Sequence, residues 1–84
     1  MIHETSVRKY SGTLAELATE TGDLRYDALA TYLKELSRKI EADGDADAAR
    51  GRRKLARELH DAAAKIEQAR EAIERAWTIC APHM

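Results

Sequence analysis

The stretch that decides the fold is residues 45–80, DADAARGRRKLARELHDAAAKIEQAREAIERAWTIC. From Leu55 onward its apolar side chains recur at alternating steps of four and three residues, which is the heptad spacing of an amphipathic helix packed against other helices. We therefore predict one long helix over residues 45–80. Its heptad positions hold Leu55, Leu59, Ala62, Ile66, Ala69, Ile73, Ala76 and Cys80.

A second apolar row lies beside the first and widens the face of this helix. Ala49, Ala56, Ala63 and Trp77 follow one another on a seven-residue period that Arg70 interrupts. The apolar face therefore covers about three positions in seven, more than the two of a plain two-stranded coiled coil. A face this wide requires more than one neighbouring helix.

Two shorter helices are predicted ahead of the long one. Thr13 and Glu16 have the spacing of a capping box, in which the hydroxyl and the carboxylate accept hydrogen bonds from free amides at a helix start. We predict a short helix over 13–21 and a second helix over 24–43, with Asp23 as the cap of the second. The apolar rows of the two segments are rotated relative to each other, which favours a break, although a kinked continuous helix also fits.

The sequence DGDAD at residues 43–47 is the predicted turn between the second helix and the long helix. Gly44 is expected to adopt the left-handed conformation after the last helical turn, and Asp45 or Asp47 to cap the long helix. A connection this short makes the two helices antiparallel neighbours. The long helix outlasts the second one, so its far half, including Trp77, is expected to face the short first helix or another chain.

Composition agrees with a helical protein and bounds its function. The chain has 84 residues, 44% of them apolar and 35% charged, with 14 basic and 15 acidic side chains. We interpret it as one domain, residues 1–84, with a flexible arm over 1–12. A chain this short buries a small core by itself, which makes association with a second copy plausible. The near balance of charge excludes a strong overall field toward nucleic acid or anionic membranes.

The densest basic run is the candidate for contact with nucleic acid or with a protein partner. Arg50, Arg53, Lys54 and Arg57 share the outward face of the long helix, where they are able to contact phosphates. Acidic neighbours before and after this run, and the lack of aromatic residues in it, favour an ordinary solvated face.

Arg52 falls in line with a core row, where a charge must reach solvent or find a partner. We expect that partner to be Glu41 or Asp43, across the predicted turn. Gly51 beside it weakens a helix by about 1 kcal/mol relative to alanine. It indicates either a close approach of another backbone or a loose first turn of the long helix.

Metal sites fit the sequence poorly. The carboxylates of 43–47 alternate as in a calcium-binding loop, but Ala48 stands where the loop needs glycine and Lys54 where it needs a bidentate glutamate. Cys80 and His83 supply two of the four ligands that structural zinc takes. We expect neither metal nor cofactor, and no residue pair has the spacing of a catalytic nucleophile with its base.

The sequence thus predicts an all-α protein, an antiparallel helical hairpin with a short leading helix, which dimerises into a four-helix bundle. We expect a cytoplasmic, non-enzymatic module for protein–protein interaction, a homodimer with a further unidentified protein partner and no membrane contact. Nucleic-acid binding through Arg50 to Arg57 is the alternative. The predicted packing and dimer core consists of Leu29, Leu33, Leu36, Ile40, Leu55, Leu59, Ile66, Ile73 and Trp77.

Overall fold

The computed structural model describes residues 3–84, and the predicted arm therefore lies within the described chain except for its first two residues. Three α-helices follow one another: α1 (Leu14–Gly22), α2 (Tyr26–Ala49) and α3 (Arg53–Cys80). A single turn of 3-10 helix, Ala81–His83, follows α3. No strand occurs within residues 3–84. The all-α class is confirmed, and so is the hairpin, because α2 and α3 pack against each other.

Helix α1 begins as the sequence predicts. The side chain of Thr13 accepts a hydrogen bond from the Glu16 amide, and the Glu16 carboxylate accepts one from the Thr13 amide at 3.0 Å. The hydrogen bond from the Thr13 amide holds the pKa of Glu16 below its usual value, because it favours the ionised carboxylate. The capping box is therefore confirmed.

A short corner separates α1 from α2, so the kinked continuous helix is excluded. The amide of Asp23 donates to the carbonyl oxygens of Thr19 and Thr21 and closes α1. The prediction that Asp23 caps α2 is therefore wrong; the residue at the N-cap of α2 is Arg25, which makes no capping bond through its side chain.

The turn between α2 and α3 lies at residues 50–52 and not at residues 43–47, which is the main correction to the sequence analysis. Helix α2 continues through Asp43 and Gly44 to Ala49. Gly51 is the residue with positive φ, +81°, a conformation that glycine adopts at little cost. The interpretation of Gly51 as part of a loose first turn of a longer helix is therefore wrong. Gly51 lies in the tight turn between the two helices.

Because the turn lies at residues 50–52, the two long helices are nearly equal in length, with 24 residues in α2 and 28 in α3. The end of α3 consequently reaches the start of α2, where the Arg25 guanidinium lies 5.3 Å from the centre of the Trp77 ring. Of the two neighbours expected for the far half of α3, the first helix and another chain, the first is wrong, because within the chain this half packs against α2. Helix α1 has no buried residue and packs extensively on neither helix.

Small side chains form the contact between α2 and α3. The residues buried at this contact lie seven apart on each helix, and their small size allows close approach of the backbones. Ser37 is the polar member, and its hydroxyl donates a 2.9 Å hydrogen bond to the carbonyl oxygen of Ala63. We call this contact the small-residue seam; its members are Ala30, Ser37, Gly44, Ala56 and Ala63.

The packed helices form a single layer, because α2 and α3 are the one pair of α-helices in the described chain that makes an extensive contact. The Cα atoms extend over 49 × 29 × 14 Å. Stable domains usually consist of two or more packed layers around a core. Within residues 3–84 no large side chain is fully buried. No helix in that range is long and apolar enough to cross a membrane.

Candidate interaction surface

The heptad row of α3 lies beside the small-residue seam instead of in it. Helix α3 turns Ala56 and Ala63 toward α2, and these are members of the second apolar row. The heptad residues on the flank are less covered: Leu55 is 46% exposed and Ala69 is exposed. The other heptad residues are half-buried, namely Leu59, Ala62, Ile66, Ile73, Ala76 and Cys80.

Helix α2 has a matching apolar stripe next to its own part of the seam. Its four large residues recur at steps of four and three and are each half-buried. A hollow of about 230 Å³ near the turn is lined by residues of both flanks, among them Asp47, Leu55 and Leu59, and by His3 of the arm ahead of α1. The two flanks therefore open on one side of the hairpin. The α2 stripe is Leu29, Leu33, Leu36 and Ile40.

We call this side of the hairpin the apolar face; it comprises the α2 stripe and the heptad row of α3. All the residues predicted for the packing and dimer core lie on it except Trp77, which lies nearer the seam. Within the chain these side chains are only partly buried, because no third α-helix packs extensively on α2 or α3. Near the turn, His3 of the arm borders the same face. The structure therefore brings the predicted core residues together without enclosing them.

The opposite side of the hairpin is polar. A hollow of about 450 Å³ is lined by small residues of the seam and by charged side chains from both helices, including Lys34, Arg38, Glu41 and Glu67. We call this side the polar face. The contrast between the two sides shows that the hairpin as a whole is amphipathic.

Arg70 lies between Ala63 and Trp77 in the second apolar row of α3, and carboxylates of the same helix pair with its charge. It forms ion pairs with Glu67, one turn before it, and with Glu74, one turn after it. Its hydrogen bonds hold the pKa of Glu67 below its usual value. Glu67 and Arg70 thus form an ordinary ion pair between residues three apart on a helix, and the arginine keeps its charge at the edge of the seam.

Near the turn, Gly44 of α2 lies directly against the side chain of His60 on α3. The imidazole of His60 occupies the space that a side chain at residue 44 would need. Its Nε2 lies 2.9 Å from a carboxylate oxygen of Asp45. The sequence analysis missed this contact. The signal for it was the run of small residues Ala30, Ser37 and Gly44, spaced seven apart along α2.

The basic run lies at the hairpin tip, which we define as residues 50–57. Asp47 binds both Arg50 and Arg52, with the Arg52 nitrogen at 3.3 Å from its carboxylate. The partner of Arg52 is thus Asp47, not Glu41 or Asp43 as predicted.

The other basic residues of the tip, Arg53, Lys54 and Arg57, are exposed and form no ion pair within residues 3–84. The structure therefore places the predicted contact residues Arg50, Arg53, Lys54 and Arg57 together at one end of the hairpin.

Asp43 to Asp47 belong to a regular helix, so their carboxylates do not converge as in a calcium loop. Cys80 is a half-buried free thiol at the end of α3, and His83 lies in the 3-10 turn beyond it. Within residues 3–84 no three histidine, cysteine, aspartate or glutamate side chains are grouped so as to hold a metal ion.

Comparison with known proteins adds no family to this description. The chain matches no protein-family model, no curated protein and no solved structure. Its function must therefore be argued from the two faces of the hairpin and from the charges at its ends.

Proposed function

We propose that this protein is a non-catalytic helical interaction module that forms a homodimer through its apolar face. The observation that carries the proposal is the position of the heptad row. The row spans the whole length of α3, yet the contact with α2 uses the row beside it. A continuous apolar row that its own chain covers only in part is a usual site of helix–helix association between chains.

The surface area of the chain supports a large contact. A compact monomer of 9.4 kDa has an accessible surface of roughly 5,000 Å², whereas this chain has 6725 Å². The excess, about 1,700 Å² per chain, is of the size that obligate dimers bury on each partner. The radius of gyration agrees, because it is 15.1 Å where a compact chain of this length has roughly 12 Å.

A second copy is the partner that fits this face best. Stacking two hairpins by their apolar faces supplies the missing second layer and yields a four-helix bundle. The polar faces of both copies then remain in solvent, where they are accessible to another protein. The proposed module thus has a dimer core on one side and a charged, accessible surface on the other.

The test is the mass of the purified protein in solution. We expect light scattering at micromolar concentration to give twice the 9.4 kDa chain mass. A monomer under these conditions would overturn the proposal.

A matched pair of substitutions locates the contact. Ala69 and Ala64 are both exposed alanines of α3, but Ala69 is in the heptad row and Ala64 lines the hollow on the polar face. Ala69→Glu should convert the dimer to monomer, because it places a carboxylate in the buried contact at a cost of several kcal/mol. Ala64→Glu should remain a dimer. If both variants stay dimeric, the contact is not on the apolar face.

A further inference from the structure

The heptad row of α3 alternates large and small side chains. One core position of the heptad holds Leu59, Ile66 and Ile73, and the other holds alanine at residues 62, 69 and 76. Helices pack well when large residues on one helix lie opposite small residues on the other, because the side chains then interdigitate without voids. The row therefore fits a second copy of itself only in an orientation that brings its two core positions opposite each other.

We infer that the two copies associate antiparallel, with α3 of one lying along α3 of the other. This inference rests on the proposed homodimer and specifies its geometry. In an antiparallel pair the residue numbers rise along one helix while they fall along the other, so each large residue meets an alanine. The facing pairs are Leu59 with the partner's Ala76, Ile66 with the partner's Ala69, Ile73 with the partner's Ala62, and Leu55 with the partner's Cys80.

A parallel arrangement of the same two helices lacks this fit. Each residue would then face its own copy, so that Ile66 meets the partner's Ile66 and Ala69 meets the partner's Ala69. Layers of two large residues would alternate with layers of two alanines. The large layers would hold the helices apart, and the alanine layers would leave voids.

The charges at the two ends of the molecule independently favour the antiparallel orientation. Helix α1 and the residue after it carry three carboxylates, Glu16, Glu20 and Asp23, and no basic side chain. These carboxylates are spaced four and three residues apart, so they lie on one side of the helix. They form no ion pair within residues 3–84.

The hairpin tip supplies the opposite charge at the far end. The C-terminal end of α1 lies at the open end of the hairpin, since Gly22, Asp23 and Cys80 line the same hollow there. Arg53, Lys54 and Arg57 lie at the tip, where Glu58 is the neighbouring carboxylate without an ion pair in the described chain. The antiparallel arrangement brings each acidic α1 toward the basic tip of the other copy. A parallel one brings α1 near α1 and tip near tip, and like charges then repel.

The native cysteine allows a direct test. In Leu55→Cys, the new thiol and Cys80 of the same chain are separated by 25 residues of helix, about 37 Å at 1.5 Å per residue. A disulfide requires Cα atoms within about 7 Å, so these two thiols cannot join within one chain. Between antiparallel copies residue 55 lies opposite Cys80, and oxidised glutathione should link them in a reductant-sensitive covalent dimer.

Peptide mapping of the oxidised Leu55→Cys dimer identifies the bond. We expect the linked peptides to contain residue 55 from one chain and Cys80 from the other. The control is Ala64→Cys, whose thiol on the polar face of α3 should give no link to Cys80 under the same conditions. A dimeric Leu55→Cys protein that forms no bond between residue 55 and Cys80, or links residue 55 to residue 55, would overturn the antiparallel arrangement.

Failure of this inference is distinguishable from failure of the proposed function. Light scattering before oxidation shows whether Leu55→Cys is dimeric. A monomeric wild-type protein would contradict both the homodimer and its antiparallel orientation. A dimer without the predicted disulfide would contradict only the antiparallel orientation.

A pair of charge-reversed chains tests the orientation without cysteine chemistry. One chain carries Glu20→Lys and Asp23→Lys, and the other carries Arg53→Glu and Arg57→Glu. Each chain alone should dimerise at least tenfold more weakly than wild type at low salt. In such a dimer, α1 of each copy and the hairpin tip of the other would carry charges of the same sign. The mixture should form heterodimers near wild-type affinity, which native mass spectrometry detects. Equal populations of homodimers and heterodimers would contradict the antiparallel contact.

Discussion

Gly44 of α2 lies against the imidazole of His60 on α3. A Cβ at residue 44 would come within 2.5 Å of His60 Cδ2 and 2.7 Å of its Nε2. These separations are far below van der Waals contact, so the close approach of the helices depends on glycine. The contact also explains why the chain does not turn at Gly44: continuing the helix through this residue costs about 1 kcal/mol, and packing against His60 offsets that cost.

Gly44→Ala should destabilise the protein, although alanine is the better helix former. The added methyl must displace the His60 ring, and overpacking of this kind costs about 1 to 3 kcal/mol. Against a gain in helix propensity of about 1 kcal/mol, we expect a net loss of about 1 kcal/mol in the free energy of unfolding. Urea denaturation at constant protein concentration measures it, because the stability of a dimer depends on concentration.

The background variant His60→Ala provides the control for this prediction. With the imidazole removed, Gly44→Ala should stabilise the protein by about 1 kcal/mol, the propensity gain alone. The effect of the same substitution thus changes sign between the two backgrounds. Equal effects in both backgrounds would show that the contact between residues 44 and 60 does not limit the approach of the helices.

Ser37→Ala should weaken the small-residue seam. Ser37 is 5% exposed, and its hydroxyl bonds to the Ala63 carbonyl oxygen at 2.9 Å. Loss of a buried hydrogen bond of this kind costs about 1 kcal/mol. Thr31→Ala is the control, since it removes an exposed hydroxyl bonded to a carbonyl of its own helix, and it should change stability by no more than about 0.5 kcal/mol. A Ser37→Ala protein as stable as wild type would contradict the assignment.

The ion pair of Glu67 with Arg70 should contribute to the pH dependence of stability. Because folding lowers the pKa of Glu67, its contribution is present above the unfolded value, about 4.3, and is lost as the pH falls through the lower folded pKa. Arg70→Met should raise the Glu67 pKa toward its usual value, as followed by carboxyl NMR titration, and make the acid loss of stability shallower.

Two other carboxylates serve as internal controls in that titration. Hydrogen bonds from Thr13 lower the pKa of Glu16, and those from Arg25 lower the pKa of Asp27. Neither contact involves Arg70, so both pKa values should stay low in Arg70→Met. A variant in which the Glu67 pKa does not move, or in which all three rise together, would speak against a local effect of Arg70.

The basic hairpin tip provides the test of nucleic-acid binding. Duplex DNA or RNA should bind no more tightly than the weak micromolar background of a basic patch, with an affinity that falls steeply above about 50 mM salt. Replacing Arg50, Arg53 and Arg57 with alanine should flatten the salt dependence by about one unit per lost phosphate contact. Sub-micromolar binding at physiological salt that the triple variant loses would instead establish a nucleic-acid function.

Features that depend on neighbouring residues were predictable from the sequence. The heptad period of residues 55–80 determines a long amphipathic helix, and Thr13 with Glu16 determines where α1 begins, because both signals act within a few residues. The short polar connection between two apolar helices likewise determines an antiparallel hairpin. The candidate residues Arg50, Arg53, Lys54 and Arg57 stay together for the same reason, since they are close neighbours in the chain.

Tertiary structure alone decided where the hairpin turns and which row of α3 meets α2. Gly44 and Gly51 are both able to end a helix, and local preference favours Gly44 because aspartates surround it. Contact with His60, sixteen residues away, keeps Gly44 helical and leaves the left-handed turn to Gly51. Packing of small residues along the hairpin likewise selected the row of Ala56 and Ala63, and so left the heptad row open on the apolar face. These outcomes depend on fit between residues distant in the chain, which no local pattern encodes.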